Sequence, residues 1–474
     1  MSSGRNPSAK VGLFGIGLAA YWPQFPGLKE RLEGYVAEVE SRLRGFGAGV
    51  VSAGLVDTPE RAREAGQLFA SEDVDLIVCH VATYATSSQV LPAVQKARAP
   101  VLVLNLQPSA ALDYERTDTG EWLANCSLCS APEISNAFVR SSIDFRVVSG
   151  MLFDDARAWR EIEEWCRAAA VARALRESRV GFLGHAYPGM LDMYSDFTMM
   201  HAQLGAHIEV LEMCDLAKRV AAVTDGEVED KLHIARETFE IAESVEEDDL
   251  RWAASVAAGL DRLAADFALD GLTYYYRGLD GNEYERLGAA MILGNSLLTS
   301  RGIPASGEGD IKTCFAMMAM DRFGCGGSYT EFYAMDFRED FLLMGHDGPG
   351  HLAISNRKPI LRGLRLYHGK RGCGVSVEFK VRKGPVTILG MTQTVEGKFK
   401  MIGAEGESLA GPILRMGNTN SRLRFRLSPA EFFNRWCAEG PTHHCALGVG
   451  HNLGRIARLA DLMKVPLAVV GGPA

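Results

Sequence analysis

Carboxylates and imidazoles gather between Gly307 and His351 in three short signals: Gly307-Glu308-Gly309-Asp310, Thr330-Glu331-Phe332, and Met344-Gly345-His346-Asp347-Gly348-Pro349-Gly350-His351. A glutamate between two glycines sits where the backbone can turn sharply and come close to a ligand, so Glu308 is expected at an exposed loop tip. Glu331 and His346 follow in stretches rich in Tyr, Phe and Leu, which predicts strands or buried turns as their supports. A fourth group comes from far downstream, in the pair His443-His444. Two carboxylates and two imidazoles form a mixed oxygen and nitrogen donor set suited to Mn2+ or a similar divalent ion. Asp310 is expected to cap or orient the helix that starts at Ile311-Lys312. Taken singly, each group has a plain reading: Glu308 as a solvated turn, His443-His444 as a solvated pair. Their order along the chain is what carries specificity.

The elements that must position these groups are legible in the hydrophobic pattern. Val11 to Gly17 reads as a first parallel strand delivering the loop Leu18-Ala19-Ala20-Tyr21-Trp22-Pro23 to a pocket, which makes Tyr21 and Trp22 candidate substrate contacts. Leu28, Leu32, Tyr35, Val36, Val39 and Leu43 recur at helical spacing, and Thr58-Pro59 starts a second helix with an N-cap and a proline at its first position. Strands at 49–55, 75–80 and 101–105 alternate with helices, giving an open parallel sheet with helices on both faces. Gly15-Ile16-Gly17 is no dinucleotide fingerprint, because the third glycine is absent and Tyr-Trp-Pro stands where a helix should receive the pyrophosphate. A second α/β unit opens at Arg179-Val180-Gly181-Phe182-Leu183-Gly184-His185, whose His185 faces the expected cleft as a further candidate substrate contact. It continues through a charged helical span from Glu227 to Ala268 and a strand at Gly271-Tyr276. Beyond Gly326-Gly327 alternating strands replace helical periodicity, so a β-rich, barrel-like or sandwich third domain is expected, closed by a helix from Leu453 to Met463 and a strand at Leu467-Val470. The expected fold class is therefore two open parallel-sheet α/β domains, 1–178 and 179–326, followed by a β-rich C-terminal domain, 327–474, that carries the metal-ligand histidines.

Composition narrows the function class. A chain of 474 residues with 47% hydrophobic and 23% charged residues is an ordinary multidomain globular protein. Its net charge of -9 argues against nucleic acid or an anionic membrane as partner and for a small neutral ligand. No export signal and no apolar run of membrane-spanning length is visible, so the expected location is cytoplasmic. The ten cysteines are scattered, which there predicts reduced thiols; Cys126-Ser127-Leu128-Cys129 lacks the second pair of a zinc site and reads as structural.

The succession Gly-Glu-Gly-Asp, a glutamate after a glycine-rich turn, a Gly-His near 346 and a late His-His before the last helix resembles the L-arabinose isomerase family within the L-fucose/L-arabinose isomerase superfamily. The strands at Asp75-Leu76-Ile77-Val78 and Pro100 to Asn105 look like that family's corresponding strands. The resemblance implies that Glu308, Glu331, His346 and His444 are Mn2+ ligands, that the two glutamates are the catalytic acid/base pair, and that the chain assembles as a homotrimer or homohexamer with active sites at subunit boundaries. The chain departs from the family pattern in three places. Leu18-Ala19-Ala20-Tyr21-Trp22 replaces a glutamine-containing loop, Cys126 and Cys129 stand near Asn125 where the family has a histidine lent by a neighbouring subunit, and the Gly-His is followed by Asp-Gly-Pro-Gly-His, which makes His351 a candidate substrate contact. The implied activity is interconversion of an open-chain aldose and its 2-ketose through an ene-diol. The proton next to a carbonyl is very weakly acidic, so a divalent cation must stabilise developing charge on oxygen while two carboxylates of unequal pKa move protons. The alternatives are an isomerase of a different or modified sugar and a non-catalytic sugar-binding protein.

Overall fold

The computed structural model describes residues 7–276, 282–364, 366–367, 370–371 and 373–472. The polar stretch Met1 to Lys10 reads in sequence as a frayed end, and its residues 1–6 lie outside the described residues. The chain forms two compact units, Pro7–Arg173 and the chain from Ala174 onward.

In the first unit five parallel strands, β1 (Lys10–Ile16), β2 (Gly49–Val56), β3 (Leu76–His80), β4 (Val101–Gln107) and β5 (Phe145–Met151), lie in the order β2-β1-β3-β4-β5. The inner strands are continuous apolar runs because helices cover both faces. The helix Leu28–Gly45 buries the six residues picked out by helical spacing, and the Thr58 hydroxyl accepts the Arg61 amide at 3.3 Å to cap the helix Pro59–Ser71. The loop after β1 winds into a short 3-10 turn, Ala19–Tyr21, where a phosphate-binding helix would otherwise begin. All ten cysteines are free thiols.

The second unit begins with a four-stranded parallel sheet, in the order Ala305–Ser306, Gly271–Tyr275, Arg179–Gly184, His207–Leu211. The charged helical span expected from Glu227 to Ala268 holds two helices, Asp225–Thr238 and Glu247–Asp266. Phe239 ends the first in an extended conformation, and Glu240–Ile241 then pairs in parallel with Ile360–Gly363. Six antiparallel strands follow: Gly326–Asp336, Phe341–His346, Gly384–Gln393, Phe399–Ser408, Thr419–Phe425 and His444–Val449. They close into a barrel because Gly384–Gln393 pairs both with His444–Val449 and with Phe399–Ser408. Leu467–Val469 adds in parallel along Phe399–Ser408. The fold is thus parallel α/β sheets followed by an antiparallel barrel, as the hydrophobic pattern predicts.

One helix, Ile311–Arg322, packs against both the parallel sheet and the barrel strands Gly326–Asp336, Gly384–Gln393 and His444–Val449. It is buried nearly all round, which fits its lack of a polar face. Gly327, at φ +120°, lets the first barrel strand lie against this helix; a Cβ there would stand 2.6 Å from the Met317 carbonyl oxygen. Among the described residues no helix is long and apolar enough to cross a membrane.

Candidate metal centre

The cluster lies where that helix starts and the barrel strands end. Glu308 belongs to the turn between Ala305–Ser306 and the helix Ile311–Arg322. Contrary to the expected exposed tip, only 8% of its surface is accessible. The flanking glycines do turn the chain, but they fold it down onto the neighbouring strand ends. The Glu308 carbonyl accepts the Tyr187 amide at 2.9 Å, and the Gly309 amide donates to the Tyr274 carbonyl at 3.0 Å. Gly309 has φ +75°, and a Cβ on it would meet Ala186 Cα at 2.6 Å and the His185 carbonyl at 2.8 Å. Glu308 itself adopts φ +60°, a left-handed conformation that costs a non-glycine residue about 1–2 kcal/mol.

Glu331 lies on the strand Gly326–Asp336, directly opposite His444, the first residue of His444–Val449. His346 ends the neighbouring strand Phe341–His346, its ring 5.1 Å from that of His444. Glu331, His346 and His444 each offer a ligand atom, all within 4.8 Å of one another, and Glu308, His443 and His444 do the same. The structure therefore brings the four residues singled out by sequence into one cluster shared through His444, and adds His443. Two buried atoms in it, Glu308 Oε2 and His444 Nε2, have no hydrogen-bond partner and lie 3.6 Å apart. Orphaned buried polar atoms of complementary type cost free energy unless something joins them. An oxygen and nitrogen set with this feature fits a divalent cation.

The layer behind fixes the His444 ring. Asp310, fully buried, caps the helix Ile311–Arg322 by accepting the Thr313 amide at 2.9 Å, while its other oxygen accepts the Thr313 hydroxyl at 2.7 Å and faces His444 Nδ1 at 3.1 Å. The Tyr329 hydroxyl is 2.7 Å from the same Nδ1 and donates to the Gly307 carbonyl at 3.2 Å. With that proton directed at Gly307, Nδ1–H of His444 donates to Asp310 and the Tyr329 oxygen, and the Nε2 lone pair faces the glutamates. A carboxylate behind an imidazole is the arrangement that selects the ligating tautomer. His346 Nδ1 accepts the Gly348 amide at 2.9 Å and lies 3.5 Å from the Asp347 carboxylate.

The two glutamates are electrostatically unequal. Burial acts to raise the Glu308 carboxyl, but the neighbouring His443, His444 and His346 rings outweigh it and hold the group below the usual range. Burial raises Glu331, and there the imidazoles do not outweigh it. His443 is raised to about 10: burial opposes the charge, yet the hydrogen bond to Asp192 and the Glu308 carboxylate 3.6 Å away prevail.

Of the remaining candidates, His185 sits half-buried just after its strand, with Nδ1 2.8 Å from the Ala186 carbonyl and its ring edge-on to Tyr275 at 5.2 Å. Its backbone touches the Glu308 turn through Gly309. His351 is 5% exposed and turned to Asp321, with Nε2 3.2 Å from that carboxylate, and it is not among the clustered ligand groups. Tyr21 and Trp22 belong to the other compact unit, where the Trp22 indole donates to Asp57 at 2.8 Å and Tyr21 stacks edge-on against Phe25 at 6.0 Å. Sequence reasoning missed Asp192 and Tyr329. Asp192 sits in the short 3-10 turn Leu191–Met193, 251 residues from the His443 it binds, so no spacing announces it. Tyr329 lies two residues before Glu331 on the same strand, and period-two alternation could have placed it on the same side.

The family model for the L-arabinose isomerase central domain matches residues 195–326, and that for the L-arabinose isomerase C-terminal domain matches 326–466, together more than half of the chain. The L-arabinose isomerase of Clavibacter sepedonicus is 21% identical over 429 residues, covering 88% of this chain and 84% of that protein. That of Vibrio parahaemolyticus is 23% identical, covering 89% and 86%, and that of Mycolicibacterium smegmatis 24% identical, covering 66% and 62%. Among solved structures, a periplasmic solute-binding protein from Actinobacillus succinogenes with bound D-allose aligns over 63% of this chain and 78% of its own at 14% identity and a TM-score of 0.18, too low to imply a shared fold. The family matches cover the helix, the barrel and the whole cluster of glutamates and histidines, and the chain belongs to the L-arabinose isomerase family.

Proposed function

We propose that the protein is a divalent-metal-dependent aldose-ketose isomerase, with Glu308, Glu331, His346 and His444 holding the ion and the two glutamates moving protons. The observation that carries this is the single buried cluster in which Glu308 Oε2 and His444 Nε2 face each other without partners. When bound, the cation supplies Lewis-acid polarisation of the substrate's carbonyl and hydroxyl oxygens. One carboxylate takes the proton from C2 of the open-chain aldose and returns it to C1, while the other transfers the hydroxyl proton between O2 and O1. Asp310 and Tyr329 keep the His444 ring from turning, and the burial of Glu308 and His444 keeps bulk water from the transferred proton. Mn2+ is the ion the donor set and the family resemblance favour, and assembly as a homotrimer or homohexamer follows from the same resemblance. A different or modified sugar in place of L-arabinose is the second reading. It is favoured by the Leu18 to Trp22 loop, which carries Tyr21 and a tethered Trp22 where the family has a polar loop.

The test is incubation of the protein with Mn2+ and a panel of aldoses and ketoses, read by chromatography of the products. Ketose formation from at least one aldose, abolished by a chelator and restored by Mn2+, is expected. A protein that binds a sugar without converting it would overturn the reading in favour of a binding protein.

A further inference from the structure

Asp192 lies in a short 3-10 turn, Leu191–Met193, that no part of the proposed chemistry uses. One of its oxygens accepts two hydrogen bonds from His443, from the backbone amide at 3.0 Å and from Nδ1 at 2.7 Å. Holding a residue by its amide and its ring nitrogen at once removes most of the ring's rotational freedom. His443 Nε2 is thereby left facing Glu308 Oε2 at 3.6 Å. The loop behind Asp192 is anchored in turn. The Lys312 ammonium, on a side chain only 2% exposed, donates to the Met193 carbonyl at 3.3 Å, the Tyr194 carbonyl at 3.1 Å and the Ser195 hydroxyl at 2.8 Å. A buried ammonium given three oxygens from one loop fixes that loop, since leaving any of them would strand the charge.

We propose that Asp192 is a positioning residue that sets the orientation of the Glu308 carboxylate through His443, with Lys312 holding the loop in place. The inference rests on the reading of Glu308 as a site glutamate. His443 is then an arm between Asp192 and Glu308, its Nδ1 engaged by Asp192 and its Nε2 directed at the carboxylate. Freed from Asp192, the ring would swing, and Glu308 Oε2 would lose one of the two imidazole nitrogens, of His443 and His444, that stand 3.6 Å from it.

The test compares Asp192→Ala and Asp192→Asn in the full-length, Mn2+-loaded protein. Asparagine retains one oxygen able to accept both His443 hydrogen bonds, and alanine retains none. Asp192→Ala should lower kcat by roughly 10–100-fold, the cost of a slightly misplaced reacting group, with KM and the Mn2+ Kd within about 3-fold. Asp192→Asn should recover to within about 5-fold of the parent, and in a His443→Gln background Asp192→Ala should add little, because the two act as one unit. Nitrogen-15 spectra of the histidine side chains in metal-free protein supply a readout apart from turnover: a protected His443 Nδ1–H present in the parent and in Asp192→Asn, absent in Asp192→Ala. Unchanged kcat in Asp192→Ala, equal impairment of both variants, or a Mn2+ Kd weakened by about 100-fold or more would each overturn the inference. A parent protein that makes no ketose would sink the functional reading, and the spectra would then decide alone whether Asp192 fixes His443.

Discussion

Asp310→Asn separates the two tasks of one buried carboxylate. Asp310 uses one oxygen to cap the helix through the Thr313 amide and the other to receive the Thr313 hydroxyl and His444 Nδ1–H. Asparagine is as good an N-cap as aspartate, so its single oxygen goes to the Thr313 amide and the helix start is retained. Its amino group then occupies the place of the second oxygen and has two protons to donate, one to the Thr313 hydroxyl, which turns to accept, and one to His444 Nδ1. That moves the imidazole proton to Nε2, the atom that faces Glu308. The ring can ligate only after giving up this proton or turning over, and loss of a carboxylate behind a histidine ligand costs about 10–100-fold in metal affinity, or about 1.4–2.8 kcal/mol. Calorimetric titration with Mn2+ should show that weakening, while thermal unfolding of the metal-free variant stays close to the parent. An unchanged Mn2+ Kd in Asp310→Asn would refute the tautomer argument, and a metal-free protein that no longer folds would show that the carboxylate is needed for more than the ring.

Other expectations follow from the same geometry. Glu308→Ala and Glu331→Ala should each remove turnover, by roughly 100- to 10,000-fold in kcat, and a variant of either with near-normal isomerisation would contradict their roles. Gly309→Ala should destabilise the protein by roughly 2–5 kcal/mol, since the new methyl meets backbone atoms of Ala186 and His185 in a left-handed turn; an unchanged urea midpoint would speak against it. Glu227, half-buried at the third position of its helix, is lowered to about 2 by hydrogen bonding from the Thr224 amide, by Arg262 and by the Thr224 hydroxyl. A folded-state value below the unfolded one means stability that is present above about pH 4.5 and lost as pH falls toward 2. Glu227→Gln should therefore flatten that part of the acid-unfolding profile, and a profile identical to the parent's would exclude the linkage.

The parts of the fold that depend on short-range pattern were legible in the sequence. The helix Leu28–Gly45 buries the six residues its spacing selected, and Leu453–Met463 begins and ends where expected. The edge strand β5 was missed because its Phe-Arg-Val-Val-Ser-Gly-Met run is half-exposed and carries no continuous apolar signature. The break inside the charged helical span is not visible in its pattern, because pairing with Ile360–Gly363 is what draws Glu240–Ile241 into a strand. At the site, the types and order of Glu308, Glu331, His346 and His444 were enough to nominate them. The burial of Glu308 was not readable, since it depends on Gly309 lying against Ala186, more than a hundred residues earlier in the chain. Asp192 and the Tyr329 hydroxyl were invisible for a similar reason: each matters through a partner that only the tertiary fold brings within 3 Å.

Anomalous diffraction from crystals grown with Mn2+, collected on both sides of the manganese edge, tests the account at its centre. One strong peak per chain is expected, within about 2.0–2.4 Å of donor atoms of Glu308, Glu331, His346 and His444 and absent from crystals of His444→Ala. No peak among these four side chains, or a peak held by other residues while the protein still converts an aldose to its ketose, would contradict it.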